Sequence, residues 1–262
     1  MKIGSPIDKD SLLIKKRLIV LEVGPGSNPT RRSNVLVEKF VNDNRHRRGD
    51  FKIYPHQKLI QADGETLPFK DKEFDYVICS HVLEHAEDPA KFVNEQVRVS
   101  KMGYLEVPSL IGEFLAPKSS HKWVILDIDD KLVLYEKSKL PFDFSPDFGN
   151  VFLNYLPYKS LLYKLLCMSK QNFLAVKYEW KDSVDIIVNP EDEYYKSFFT
   201  ERWTPEMVQK IFPQRSVGKE LSEIFKSFSY YARSKFRRTV FPSAEPFSYE
   251  EYINQGKSEI IN

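Results

Sequence analysis

The chain has 262 residues, a formal net charge of +2 and two cysteines, Cys79 and Cys167. That length carries one sizeable core and an appendage. Near-neutrality argues against the uniformly basic surface of a nucleic-acid-binding domain. Two cysteines in apolar surroundings, without a C-x-x-C pair, exclude a disulfide framework and fit a reducing, cytoplasmic setting. The N-terminus shows no secretory pattern, because the apolar run after Lys15-Lys16-Arg17 is cut by Glu22 and Gly24. No stretch approaches the roughly 18 apolar residues of a membrane span.

In chain order, Arg17 to Val23 reads as a first strand that breaks into Gly24-Pro25-Gly26. Short apolar runs at Val35–Val37, Leu59–Ala62, Phe74–Cys79 and Tyr104–Val107 read as further strands, and their spacing points to a parallel α/β sheet. Between the first two strands there is almost no room for a crossover helix. Asp88 and Pro89 are the N-cap and first position of a helix that follows the fourth strand. Trp123–Asp127 and Leu132–Tyr135 predict a hairpin. Phe173–Tyr178 and Val184–Val188 suggest a second, and polar Pro190–Tyr194 reads as a linker. The expected division is therefore a domain over 1–190 and a helical, basic extension over 191–262. Within the extension, Leu221, Ile224, Phe225, Phe228, Tyr231 and Phe236 fall at helical spacing, with cations gathering from Lys226 to Arg238. Such a helix packs on the domain, or it presents 221–238 to a membrane or an acidic partner.

The chemistry sits at the strand ends. Glu22 adjoins the glycine turn, where Gly24 and Gly26 let a ligand approach the backbone. Glu38 ends the second strand, where an acid can accept ribose hydroxyls. Asp63, followed by Gly64, ends the third, where a carboxylate can reach an adenine amine. Ser80 and His81 end the fourth. Two features argue against a dinucleotide. The third glycine of the phosphate fingerprint is replaced by Pro29, and only 12 residues separate Gly26 from Glu38, against about 20 in the fingerprint. An adenosine ligand with a cationic centre and no phosphate suits such acids better, and S-adenosylmethionine is one.

The run VLEVGPG, followed by ADGETLPFKDKEFDYVICSHVLEHAEDP, resembles the class I S-adenosylmethionine-dependent methyltransferases of the small-molecule "type 11" kind. The likeness extends from about Arg17 to Pro108. It implies a Rossmann-like, seven-stranded, mostly parallel sheet with an antiparallel strand, here with a truncated first crossover helix and a helical C-terminal appendage. It also implies that Glu22, Gly24, Pro25 and Gly26 hold the methionine part of the donor and Glu38 its ribose. Asp63 and Gly64 would meet the adenine, with Ser80 and His81 beside the methyl group. The loop Asn42–Arg48 is placed to take over part of the wall that the missing helix leaves, and Lys118, Arg45 and Arg47 could steer an anionic acceptor.

The implied activity is methyl transfer to a small-molecule, glycan or lipid-linked acceptor through an oxygen or nitrogen nucleophile. A catalytically inactive binding or scaffold protein is the alternative. Where the acceptor needs a base, the candidates are His81, His85 and His121. Read literally, His81-Val82-Leu83-Glu84-His85 is the inverted zinc-protease signature. That signature needs one long helix and a distant third ligand, whereas this run begins in the turn after a strand and Pro89 soon follows. No metal is expected from it. Acceptor identity and oligomeric state leave no trace in the sequence.

Overall fold

The computed structural model describes residues 1–44, 49–144, 147–170, 172–240 and 245–254, apart from the side chain of residue 238. The strands are β1 (Lys2–Gly4), β2 (Val20–Val23), β3 (Val35–Glu38), β4 (Lys52–Ile53), β5 (Lys58–Gln61) and β6 (Phe74–Ser80). They continue with β7 (Ser100–Pro108), β8 (Trp123–Ile128), β9 (Lys131–Glu136), β10 (Ala175–Lys181), β11 (Ile186–Val188) and β12 (Phe247–Ser248). The helices are α1 (Pro89–Val99), α2 (Leu110–Leu115), α3 (Leu156–Lys159), α4 (Leu161–Ser169), α5 (Glu193–Thr200), α6 (Pro205–Ile211), α7 (Val217–Val240) and α8 (Tyr249–Asn254).

Seven strands form the main sheet in the order β1-β10-β7-β6-β2-β3-β5. β10 runs antiparallel to both neighbours, while β7, β6, β2, β3 and β5 are mutually parallel. The architecture is thus the Rossmann-like one expected. β2 is flanked by β3 on one side and β6 on the other, so the order reverses at β2 and a crevice opens at its carboxyl end. No helix forms between β2 and β3. The covering of the sheet follows strand alternation. One face packs Leu21, Val23, Val37, Val77 and Leu105 against Phe92, Val93 and Val99 of α1. On the other, Val20, Tyr76, Ile78 and Tyr104 meet Leu12 and Ile14.

α1 begins as expected, with the Asp88 side chain accepting the Lys91 N–H and Pro89 at the first position. β8 and β9 form the predicted hairpin, turning through Asp129 and Asp130 at φ 54° and 60°. The second expected hairpin does not exist. β10 inserts beside β7 in the main sheet, while β11 joins β9 in parallel to complete a separate three-stranded sheet. Its partners lie far away in sequence, which local alternation cannot reveal. The expected linker, Pro190–Tyr194, runs into α5 at Glu193, which Asp192 caps, and just before it Asn189 Oδ1 accepts the Glu136 N–H. Phe198, Phe199 and Ile211 share a core with Leu110, Val124 and Leu126, and Tyr252 of α8 packs with Leu36, Phe51 and Ile53. Among the described residues, no helix is long and apolar enough to cross a membrane.

Gly103 on β7 shows how tightly β10 is seated. A Cβ there would stand 2.6 Å from Trp180 Cζ2 and 2.6 Å from Val77 Cγ1, both from fully buried side chains. Gly103→Ala should therefore lower the urea midpoint by the equivalent of about 1–3 kcal/mol, with the slope unchanged. An unaltered midpoint would show that the sheet can shift there at no cost.

Candidate active site at the strand ends

The register places two of the expected acids, Glu22 and Glu38, on one face. Glu22 pairs with Leu36 and Ile78, Glu38 with Gln61, and Ser80 with Glu106. Because facing residues share a side and alternate residues repeat it, Glu22, Glu38, Ser80 and Glu106 project from the same face. The turn that follows β2 needs its glycines, since Gly24 and Gly26 have φ of 65° and 54°. A Cβ on Gly24 would also meet Val82 Cγ2 at 2.3 Å. Val82, rather than open space for a ligand, thus occupies that position. Gly64 is similar, because the room for its absent Cβ is taken by Phe92 of α1 at 2.4 Å.

Glu38 closes on the glycine turn, accepting the Gly26 N–H at 3.3 Å and the Phe40 N–H at 3.1 Å. Asp63 stands at the mouth, half-exposed, with Oδ2 2.7 Å from Lys39 Nζ and Oδ1 accepting the Glu65 N–H at 2.9 Å. Burial opposes its ionisation, but the Glu65 N–H and the Lys39 ammonium outweigh this and hold its pKa below the usual carboxylate value. Ser80 Oγ donates to Glu106 at 3.4 Å.

Glu22 departs from expectation. Its carboxylate is almost wholly buried and accepts hydrogen bonds from Lys9 Nζ at 2.9 Å, the Thr30 N–H at 2.7 Å, Thr30 Oγ1 at 3.1 Å and Ser33 Oγ at 2.7 Å. Both oxygens are taken by the protein itself, so this geometry gives no support to a contact with the methionine part of a donor. Glu22 instead ties the loop from the glycine turn to β3. Lys9 was not singled out in the sequence, since nothing local marks an ion pair that spans 13 residues. Arg45 and Arg47 lie outside the described residues.

The three candidate histidines come together. His81 follows β6 with a left-handed φ of 59° and a side chain 54% exposed. Leu83–His85 is a single 3-10 turn, and the Lys122 N–H and Trp123 Nε1 anchor it by donating to the carbonyls of Glu84 and Ala86. The His85 and His121 rings meet edge to face at 4.8 Å. Between them is Glu84, fully buried, with Oε1 3.4 Å from His81 Nδ1 and 3.9 Å from His121 Nε2. Neither approach has hydrogen-bond geometry. Burial works against the Glu84 charge, yet the surrounding imidazoles hold its pKa below the ordinary value. Desolvation lowers the His81 pKa, and Glu84 with the charge of Glu106 more than reverses that, leaving it raised.

Behind the histidines, Glu113 of α2 binds His121 Nδ1 at 2.7 Å and Lys137 Nζ at 2.6 Å. Glu113 also escaped the sequence reading, its one signal being a lone acid on a short apolar helix. A separate cavity of about 480 Å³, lined by residues such as Lys2, Asp127, Lys170 and Lys210, contains none of the expected site residues.

Residues 36–105 match the family described as "Methyltransferase domain". An uncharacterised protein of Methanocaldococcus jannaschii is 54% identical over 46 residues, covering 18% of this chain and 22% of that protein. An uncharacterised methyltransferase of a Mycobacterium species is 38% identical over 65 residues, 25% of each chain. The chain thus spans about a quarter of the length of the curated relatives it matches. The crystal structure of a SAM-dependent methyltransferase from Aquifex aeolicus overlays with a TM-score of 0.27 at 15% identity, covering 35% of this chain and 57% of that one, too loosely to argue from.

The Glu22 knot yields a double-mutant prediction. Lys9→Met leaves a buried carboxylate short of its cation and should cost about 3 kcal/mol or more. Adding Glu22→Gln should recover a large part of that loss. Simple additivity of the two changes in chemical denaturation would mean the pair is not coupled. Residues 36–105, which run from β3 into β7 of the Rossmann-like sheet, thus match a methyltransferase-domain family.

Proposed function

We propose that the protein is an S-adenosylmethionine-dependent methyltransferase. The observation that carries the reading is Glu38, fixed at the end of β3 and turned onto the Gly26 N–H at the switch point of the sheet. The residues fit the donor's chemistry. A carboxylate at the end of β3 can accept two ribose hydroxyls, Asp63 can accept an adenine amine, and Ser80 and His81 lie on the methyl side. When bound, S-adenosylmethionine supplies a methyl group already activated by its sulfonium, which a nucleophile takes by in-line displacement. The work left to the chain is alignment and exclusion of water, which can contribute roughly 7–11 kcal/mol. His81, half-exposed after β6, is the proposed contact for the acceptor. Two free cysteines, one of them buried, support placement in a reducing compartment.

Among small-molecule, glycan and lipid-linked acceptors, the surface favours one reached at a lipid interface. α7 packs along α4 and Tyr230 donates to Asp8 Oδ1, yet much of its apolar stripe stays exposed. Phe225 is 71% exposed and Phe236 63%, and Leu162 of the neighbouring α4 is 80% exposed. Lys164 lies over the Tyr231 ring and Lys170 pairs with Glu220, so the two helices form one unit. Exposed Lys226, Arg233, Lys235 and Arg237 flank the apolar residues. An apolar face with cations beside it suits an anionic bilayer surface.

Calorimetric titration with S-adenosylmethionine tests the first reading. Binding should weaken at least tenfold in Glu38→Ala and in Asp63→Ala, a loss of about 1.4 kcal/mol or more. No heat from the wild type at millimolar donor would leave the binding or scaffold alternative. Flotation with phosphatidylglycerol vesicles tests the second. The wild type should float and Phe225→Asp should not, while equal flotation of both would remove the lipid interface from the account.

A further inference from the structure

We propose that Glu84, His85 and His121 form a binding site for one divalent transition-metal ion. One potential ligand atom from each lies within 4.8 Å of the other two. Ligands on a single zinc stand about 3.3 Å apart for bonds near 2.0 Å, so the ligand atoms would close by up to about 1.5 Å on binding.

The sharpest observation is Glu84. Its carboxylate is fully buried, and neither oxygen has a hydrogen-bond partner. A buried, unsatisfied carboxylate is costly, and this one is aimed at two imidazoles. A divalent cation between them satisfies the oxygens directly.

The second observation is how the histidines are held. His85 Nδ1 lies 2.9 Å from the Ser120 carbonyl, which can only accept, so Nδ1 carries the proton. His121 Nδ1 lies 2.7 Å from Glu113 Oε2. The Glu113 carboxylate is itself fixed by Lys137 and the Lys118 N–H. With Nδ1 of each ring so engaged, Nε2 is the nitrogen placed to bind a metal. A carboxylate or carbonyl behind Nδ1 is the arrangement that orients metal-binding histidines and raises their basicity. Two imidazoles with one carboxylate suit zinc, cobalt or iron rather than magnesium or calcium. Three protein ligands leave a further position, and His81, with Nδ1 3.4 Å from Glu84, stands on the exposed side of the cluster.

Such a site differs from that of the zinc proteases, which needs a long helix between its histidines. Here Glu84 and His85 sit in one 3-10 turn, and His121 arrives from the segment before β8. The chelator-treated full chain, titrated with Co²⁺ alone and followed by visible absorption, tests the assignment without donor or acceptor. One equivalent should bind, with ligand-field bands that Zn²⁺ abolishes by displacement. Glu84→Gln and His121→Ala should each lose at least tenfold in affinity. Glu113→Gln, which keeps all three ligands, should lose about 10–100-fold, and His56→Ala should bind as the wild type does. Thermal unfolding with and without Zn²⁺ separates lost ligands from lost folding: the wild type should gain stability and a folded Glu84→Gln should not. Absence of Co²⁺ bands in the wild type would overturn the proposal, as would binding unchanged in both Glu84→Gln and Glu113→Gln.

Discussion

The glycine turn after β2 is held by a buried carboxylate. In a doubly wound sheet a helix would normally follow that turn and fix it against the sheet. Here the chain passes from Val23 to Val35 without a helix, and Glu22 takes over. It draws Lys9 from the N-terminal segment and the Thr30 N–H, Thr30 Oγ1 and Ser33 Oγ from the loop. Gln57 adds to the same arrangement by donating to the carbonyls of Thr30 and Ser33. Each donor is satisfied by an acceptor that would otherwise be orphaned. The loop therefore needs no packed helix to keep Gly26 facing Glu38. A residue expected to touch a ligand instead supports the backbone that would.

From that point the remaining geometry follows from parallel register. Strands that run in the same direction bring their carboxyl ends to one edge, and alternation decides which side chains face the crevice there. Glu38, Ser80 and Glu106 belong to one face. The segment after β6 then supplies a second layer of polar groups. His81 leaves the strand in a left-handed conformation, and the turn that follows carries Glu84 into the interior with half-buried His85 beside it. α2 and the segment before β8 close over them with Glu113 and His121. The buried polar cluster thus adjoins the proposed methyl-transfer site and is built from elements on both sides of β7.

What could be read from the sequence was whatever is written locally. The glycine turn, the Asp88–Pro89 helix start, the Asp129-Asp130 hairpin and the missing crossover helix each leave a mark within a few residues. The acids at the strand ends were visible for the same reason, because a strand that ends in an acid is a short pattern. Residues defined by distant partners were not legible. β1 is three residues with no period of its own and exists because it pairs with β10. β11 looked like half of a hairpin until β9 claimed it. Lys9 and Glu113 are ordinary charged residues until the fold buries them beside Glu22 and His121. The H-x-x-E-H run was seen and set aside because it lacked a helix, whereas the structure brings His121 to Glu84 and His85 from outside the run.

The central claim is that the carboxyl ends of β2, β3 and β5 receive an adenosine donor. A crystal structure of the full chain grown with S-adenosylhomocysteine tests it most directly. The account predicts ribose hydroxyls on Glu38, the adenine edge beside Asp63, the amino-acid part along Gly24–Gly26, and Glu22 still bound to Lys9, Thr30 and Ser33. A ligand seated elsewhere, with Glu38 remaining on the Gly26 N–H and making no contact to it, would contradict the account.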